Sequence, residues 1–366
     1  MEKSSQQSLR PLKACSDLDP SEVMGELART LAGKGPALGF GPVKSALVPE
    51  QIAVVTTTSG STSEPKEVGL SASALLMSAR ASHLYLGAGF GEVWSLLLPL
   101  THIAGVNVLV RSLELGTSPI DLRATKGRLK KADFTAIVPT QLFRALNGDT
   151  ELLEHLKNCR AVLVGGAALA HSIASDAESA GINIVQTYGM SETCGGCVYN
   201  GEPLQGVDVK IIDEQIAIKG PTLATTYINN EGAWLERFKD GWFLTSDRGI
   251  ITDGKLKILG RSDDVIISGG ENISLNGIEE TLKSHYVGIE LAAFALPNRE
   301  WGSSLHIAIV GNTSISDAEI TSLLAQTFGE GAKPKGFHRL SALPLIGIGK
   351  VDRNALVRLF NHGEAE

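Results

Sequence analysis

Apolar residues recur along the 366-residue chain in two rhythms that alternate with each other. Short apolar runs at Ile52–Val55, Glu92–Leu98, Phe134–Val138, Arg160–Val164 and Ile182–Gln186 read as buried strands. Between them the spacing turns helical. Ser71 can cap a helix whose Leu75, Leu76, Ala79 and His83 share a face, and Ala104–Leu115 sets Val106, Leu109, Val110 and Leu113 at helical spacing. Pro139 suits the first position of a helix through Ala145, and Leu169–Ala180 supplies the next. Near the start, Ser21–Ala32 reads as a helix with Asp19 or Ser21 at its cap, and Gly33–Pro42 as a loop by composition. Strands alternating with helices predict an α/β fold with a largely parallel sheet and ligands at the strand ends.

After Tyr188 the texture changes. Val207–Ile218 alternates as a hairpin around Asp213-Glu214, and Trp242–Leu259 reads as strands turning at Asp253-Gly254. This is antiparallel material appended to the α/β core. From Arg261 a smaller α/β unit follows, with helices at Asn276–His285 and Asp317–Phe328 and strands near Ile289–Leu296 and Leu305–Val310. Ser316 is the expected cap of the last of these helices.

Length and charge narrow the function classes. A chain of 366 residues exceeds the size at which single cores stop growing, so two domains are expected. The net charge of −7 and the lack of a long basic run argue against nucleic acid or an anionic membrane surface as partner. No apolar run approaches the ~18 residues of a membrane span, and the first residues lack the apolar core of a signal peptide. Four cysteines are too few for a disulfide scaffold, and a reducing cytoplasm is the expected location.

The densest candidate chemistry is Thr56–Val68, TTTSGSTSEPKEV, where seven Ser or Thr residues surround Gly60 ahead of Lys66. Hydroxyls, backbone N–H groups and one ammonium are the donors a polyphosphate needs. The stretch is not a Walker A loop, because no second glycine precedes Lys66 and Glu67 stands where Ser or Thr is required. A polar surface turn is the alternative. His102, in Pro99–Gly105, lies between a strand and a helix, where most histidines are structural. Glu192, in Tyr188–Thr193, is a carboxylate at a strand end that can hold Mg²⁺ beside phosphates. Asp247 can accept from ribose hydroxyls or be a solvated turn residue. Cys194 and Cys197 form a CxxC without a second ligand pair, which favours structural cysteines over metal or redox chemistry. Lys350 sits in a glycine-flexed loop, and alone its signal is weak.

Together these pieces occur in the order found in the adenylate-forming superfamily of acyl- and aryl-CoA synthetases, adenylation domains and luciferases. Thr58–Lys66 resembles its phosphate motif, usually TSGTTGxPKG. Pro99–Gly105, Gly165–Ala167, Tyr188–Thr193, Thr245–Asp247, Gly260–Asp264 and Gly349–Lys350 resemble later motifs, so the likeness covers nearly all of the chain from residue 52. Ser63 and Glu67 depart from the motif's glycines, and Glu67 would repel phosphate unless it points away. Only about fifty residues precede the loop, which implies a reduced N-terminal subdomain. YGMSETCGG and GRSDDVIISGGENIS most resemble the o-succinylbenzoate–CoA ligase family of menaquinone biosynthesis.

The resemblance implies an N-terminal adenylation domain over 1–260, a hinge at 261–263 and a small mobile C-terminal α+β domain over 264–366. It implies ATP, Mg²⁺ and coenzyme A, a small carboxylic acid as substrate, and a homodimer. A carboxylate attacks the α-phosphorus of ATP to give an acyl-adenylate and pyrophosphate; a thiol then displaces AMP. By position, Thr58, Ser59, Gly60, Ser61, Thr62 and Lys66 would hold the β- and γ-phosphates. Thr193 would bond the α-phosphate and Glu192 would ligate Mg²⁺. Gly165, Gly166, Ala167, Tyr188 and Gly189 would enclose adenine, with Asp247 and Arg261 on the ribose. Lys350 would bridge α-phosphate and attacking carboxylate, and His102 would lie near the acyl pocket and the thiol's path. Asp263 would be the hinge, Gly269 and Gly270 would flank the pantetheine arm, and Gly195 and Gly196 would leave room for an aromatic ring. The alternatives are a CoA ligase for another aryl or acyl acid, an adenylation enzyme loading a carrier protein, and a non-catalytic nucleotide binder.

Overall fold

The computed structural model describes residues 8–15, 19–58, 66–124, 130–261, 264–268, 271–286, 288–298, 302–311, 315–346 and 350–360, with the backbone alone at 267, 271, 272 and 350. Its centre is a sheet in which Ile184–Met190, Ala161–Val164, Phe134–Ile137, Trp94–Leu96 and Ile120–Asp121 lie parallel in that spatial order. Gly195–Tyr199 and Glu202–Pro203 add an antiparallel edge. Phe134–Ile137 and Ala161–Val164 are buried at every position, because helices cover both faces of a parallel sheet. Ala161 and Leu163 point into one apolar cluster with Trp94, Phe134 and Tyr199. Val162 and Val164 point into the other, against Leu142, Leu156 and Ala177.

The helices follow from their caps and stripes. Ala72–Leu86 starts where the Ser71 hydroxyl accepts from the Ala74 N–H at 3.1 Å, and stops at Gly87, whose φ of 61° few other residues adopt readily. Pro139 opens Pro139–Leu146, as expected. A second sheet joins Thr226–Tyr227, Glu67–Ser71, Ile52–Thr57, Ala37–Phe40, Leu9–Cys15 and Leu47–Pro49 in that order. Here the expected loop over Gly33–Pro42 is corrected. Ala37–Phe40 is a fully buried strand parallel to both Leu9–Cys15 and Ile52–Thr57. Its flanking glycines and prolines gave the whole stretch a loop composition. A further helix, Thr150–Asn158, capped by Asp149, had not been expected from the pattern.

The antiparallel part matches its expectation. Asp208–Ile212 and Gln215–Lys219 turn through Asp213 and Glu214, both at positive φ, and Trp242–Thr252 turns into Lys255–Arg261 through Asp253 and Gly254. Beyond Arg261, Leu291–Asn298 and Gly302–Val310 form the heart of a separate sheet flanked by Leu275–His285, Asp317–Phe328 and Arg353–Phe360. Ser316 and Glu319 make a reciprocal capping box at Asp317. The apolar clusters of this region, which begin at Ile266, share no residue with the large cluster that ends at Leu256. No helix among the described residues is long and apolar enough to cross a membrane.

Candidate active site

The motifs up to Arg261 are carried by strands of three sheets. Ile52–Thr57 and Glu67–Ser71 run antiparallel, and the Thr58 N–H donates to the Lys66 carbonyl at 2.9 Å. The Lys66 N–H in turn donates to Thr58 Oγ1 at 3.3 Å. Thr58 and Lys66 therefore close the neck of the expected phosphate loop. Its tip, with Ser59, Gly60, Ser61, Thr62 and Ser63, lies outside the described residues. Lys66 Nζ lies 4.7 Å from the centroid of the Tyr227 ring. Glu67 points away: its carboxylate accepts from the Lys44 N–H, the Ser45 N–H and the Ser45 hydroxyl. Adjacent residues of an extended chain face opposite sides, so Glu67 leaves the phosphate side to Lys66.

The second region is the bend between Ile184–Met190 and Gly195–Tyr199. Thr193 is fully buried; its hydroxyl donates to the Gly195 carbonyl at 2.7 Å and accepts from the Met190 N–H at 2.9 Å. As placed, that hydroxyl shapes the turn. Gly189 packs so closely that a Cβ would stand 2.0 Å from the Gly195 carbonyl oxygen. The expectation that Gly195 and Gly196 leave room for a ring is corrected. A Cβ on Gly195 would meet Asn107 Nδ2 at 2.4 Å, and one on Gly196 would meet Tyr199 at 3.0 Å. These glycines permit tight packing. Burial raises the thiol of Cys197 to about 12 and that of Cys194 further, which leaves both as neutral structural groups.

Glu192 is 9% exposed and accepts the Tyr227 O–H at 2.9 Å on one oxygen. Among the described residues no cation pairs with it, although a buried carboxylate calls for a counter-charge. A hard divalent ion that takes one protein carboxylate and completes its shell with phosphate oxygens and water fits this side chain.

Asp247 ties the third region together. Tyr188 Oη donates to its Oδ2 at 2.7 Å, and Arg261 Nη1 lies 3.6 Å from its Oδ1. Burial first, and then the Asp247 charge, push the Tyr188 phenol well above its ordinary value, so it stays a donor. Gly165 follows the neighbouring strand, where a Cβ would meet Thr187 Oγ1 at 2.3 Å; Gly166 and Ala167 are exposed beside it. Tyr188 and Gly165 of the central sheet thus lie beside each other, and the Tyr188–Asp247 hydrogen bond joins them to Asp247 and Arg261 of the separate antiparallel sheet.

His102 precedes Ile103–Glu114, and burial lowers its pKa, so it is neutral near pH 7. Lys350 opens the short strand Lys350–Val351 paired with Leu345–Ile346. Asp263, Gly269 and Gly270 lie outside the described residues.

Two residues that the motifs did not single out stand out in the structure. Arg111 is 4% exposed, donates to Tyr199 Oη at 3.0 Å and stacks 5.0 Å from Trp94. Its Nε has no acceptor and no carboxylate pairs with it among the described residues. One turn earlier, Asn107 donates to the Cys194 carbonyl at 2.7 Å, so this helix face lines the bend after Thr193. A lone arginine inside VNVLVRSLEL was its signal in the sequence. Tyr227 is the other, and it had no signal, because a strand pairing from far along the chain brings it to Glu192.

The AMP-binding enzyme family matches residues 2–228. The "Probable 2-succinylbenzoate–CoA ligase" of Mycobacterium tuberculosis is 38% identical over 370 residues, covering 93% of this chain and 95% of the relative. The 2-succinylbenzoate–CoA ligase of Bacillus licheniformis is 30% identical, covering 84% of this chain and 70% of the relative. Among solved structures, o-succinylbenzoate CoA synthetase from Bacillus subtilis, in complex with the acyl-adenylate OSB-AMP, superposes with a TM-score of 0.75 at 25% identity. That superposition covers 94% of this chain and 82% of the other. On the length of these matches and on a shared architecture, the chain belongs to the AMP-binding enzyme family.

Proposed function

We propose that this protein is an AMP-forming acid–CoA ligase acting on o-succinylbenzoate. It joins the acid to the α-phosphate of ATP with release of pyrophosphate, then passes the acyl group to the thiol of coenzyme A, giving o-succinylbenzoyl-CoA and AMP. The observation that carries the reading is the meeting of Tyr188, Asp247 and Arg261 next to the bend that presents Glu192. Such a site offers a ribose acceptor, a flat ring and a carboxylate suited to a metal ion, where the central sheet meets the antiparallel one. The likeness to ligases that bear this substrate's name supports the choice of acid.

Neither half-reaction needs a covalent enzyme intermediate, so the side chains position groups and stabilise charge. Asp247 accepts from the ribose hydroxyls while Tyr188 and Arg261 hold its carboxylate. Lys66 and the loop it closes would take the β- and γ-phosphates, and Glu192 would hold a Mg²⁺ ion, which would supply neutralising charge to them. Lys350 draws the attacking carboxylate to the α-phosphate. Neutral His102 can accept a hydrogen bond near the acyl group without adding charge. The C-terminal unit then turns about Asp263, removes Lys350 and brings Gly269 and Gly270 beside the pantetheine path. The second carboxylate of the acid has a partner of the right chemistry in Arg111, the buried guanidinium without a carboxylate. Four buried thiols suit a reducing cytoplasm.

The test is acid-dependent cleavage of ATP to AMP and pyrophosphate, followed by CoA-thioester formation, across o-succinylbenzoate and simpler aryl and acyl acids. Turnover of the simpler acids with none of o-succinylbenzoate would refute the substrate assignment. Transfer to a carrier protein in place of free CoA would refute the acceptor. Arg111→Met should lower kcat/KM for o-succinylbenzoate about 10- to 100-fold, the worth of a lost charged hydrogen bond, and spare monocarboxylates.

A further inference from the structure

Tyr227 touches two groups that would serve a nucleotide's phosphates: the Lys66 ammonium, and the Glu192 carboxylate that would hold their metal ion. It lies on the two-residue strand Thr226–Tyr227, whose pairing with Glu67–Ser71 sets Tyr227 opposite Val68, beside the neck of the phosphate loop. Its O–H donates to Glu192 Oε1 at 2.9 Å, and the face of the same ring lies under the Lys66 ammonium at 4.7 Å. The ring is 3% exposed and edge-on to Trp234 at 5.2 Å, so it has no room to swing. A backbone hydrogen bond from Ala224 N–H to the Glu192 carbonyl at 2.8 Å joins the two segments.

A carboxylate that ligates a metal works from a fixed orientation, and the groups that fix it are worth about 10- to 100-fold in metal affinity. The phenol on Oε1 fixes the orientation in which the Glu192 carboxylate would meet an ion. The negative face of an aromatic ring meanwhile attracts an ammonium without neutralising it. We propose that Tyr227 is a positioning residue for the metal–nucleotide complex: its hydroxyl aims Glu192 at the ion, and its ring seats Lys66 beside the phosphates. This rests on the ligase reading only in that ATP and Mg²⁺ bind here together.

The experiment is calorimetric titration of the intact protein with α,β-methylene-ATP, once with EDTA and once with Mg²⁺. Wild type gains affinity from the metal. In Tyr227→Phe, which keeps the ring, that gain should fall about tenfold while the affinity in EDTA stays within about twofold. Tyr227→Leu, which removes the ring as well, should also weaken binding in EDTA. In a Glu192→Gln background, Tyr227→Phe should add nothing, because the two act through one carboxylate. A metal-dependent gain unchanged in Tyr227→Phe, or an equal loss with and without Mg²⁺, would overturn the proposal. The gain is a ratio taken within one variant, so a partly unfolded fraction cancels from it. The titration contains no acid substrate, so failure to turn over o-succinylbenzoate would remove the substrate assignment and leave this result standing.

Discussion

Glu67 shows how a single residue can depart from a motif without opposing its chemistry. It replaces a glycine of the phosphate motif, yet its carboxylate serves the segment at Lys44 and Ser45, and Asn229 joins through Ser45 Oγ at 2.8 Å. Restoring the motif with Glu67→Gly should therefore harm the protein. The loss of charged hydrogen bonds at about 1.5–3 kcal/mol, with glycine's flexibility in a strand, predicts destabilisation of about 2 kcal/mol or more. The KM for ATP should not improve. Urea unfolding and ATP kinetics read the two halves of this expectation, and tighter ATP binding without loss of stability would contradict it. The cysteines give a second residue-scale expectation. All four are buried, and burial raises the thiol of Cys159 to about 12 and that of Cys15 to about 11. The native protein should thus react with Ellman's reagent no faster than it unfolds.

At the scale of elements, the bend between Ile184–Met190 and Gly195–Tyr199 depends on glycines for close approach. Gly189→Ala would drive a methyl into the backbone oxygen of Gly195 at 2.0 Å, and backbone cannot step aside as a side chain does. The cost belongs at the top of the ~1–3 kcal/mol range for overpacking, and Asp247, held by neighbouring Tyr188, would shift with it. Circular-dichroism melts and AMP binding should fall together; retention of both would show that the bend relaxes more easily than its contacts imply. The sequence was readable here for a physical reason. Apolar runs bounded by glycine, and hydroxyls at helix starts such as Ser71 and Ser316, are local signals that the fold obeys. Ala37–Phe40 was hidden because a strand buried on both faces shows no alternation and this one is only four residues long. Tyr227 and Arg111 were hidden because their meaning lies in partners far along the chain: Glu192, 35 residues away, and Tyr199, 88 residues away. Motif residues can be read from local order; the groups that aim them require the fold.

For the whole molecule, one buried and one half-buried histidine shape the response to acid. Burial, with Arg111 nearby, lowers His83 to about 4, and burial beside His338 lowers His306 to about 4, both from an ordinary value of 6.5. Between these values the unfolded chain binds the more protons, so stability is complete above pH 6.5 and falls as the pH drops toward 4. Urea midpoints at pH 8, 6 and 5 should show a flat upper part and then a decline. The C-terminal region has a separate support, centred on Arg353. Its Nε donates to the Ala293 carbonyl at 2.9 Å, Nη1 to Asp264 at 3.1 Å, and Nη2 to both Asn276 and Glu279 at 2.7 Å. One guanidinium so fastens the start of this region, the helix Leu275–His285 and the strand Leu291–Asn298. Arg353→Met fills similar space but leaves Asp264 and Glu279 as two poorly hydrated carboxylates, at a cost of about 3–5 kcal/mol. Because no apolar cluster residue is shared across Arg261, that loss should stay on one side of it. Hydrogen exchange should quicken in Leu275–His285 and Leu291–Asn298 and stay unchanged in Ala161–Val164. A loss spread evenly over both regions would show that they unfold as one unit, and would remove the basis for a C-terminal part that moves between the two half-reactions.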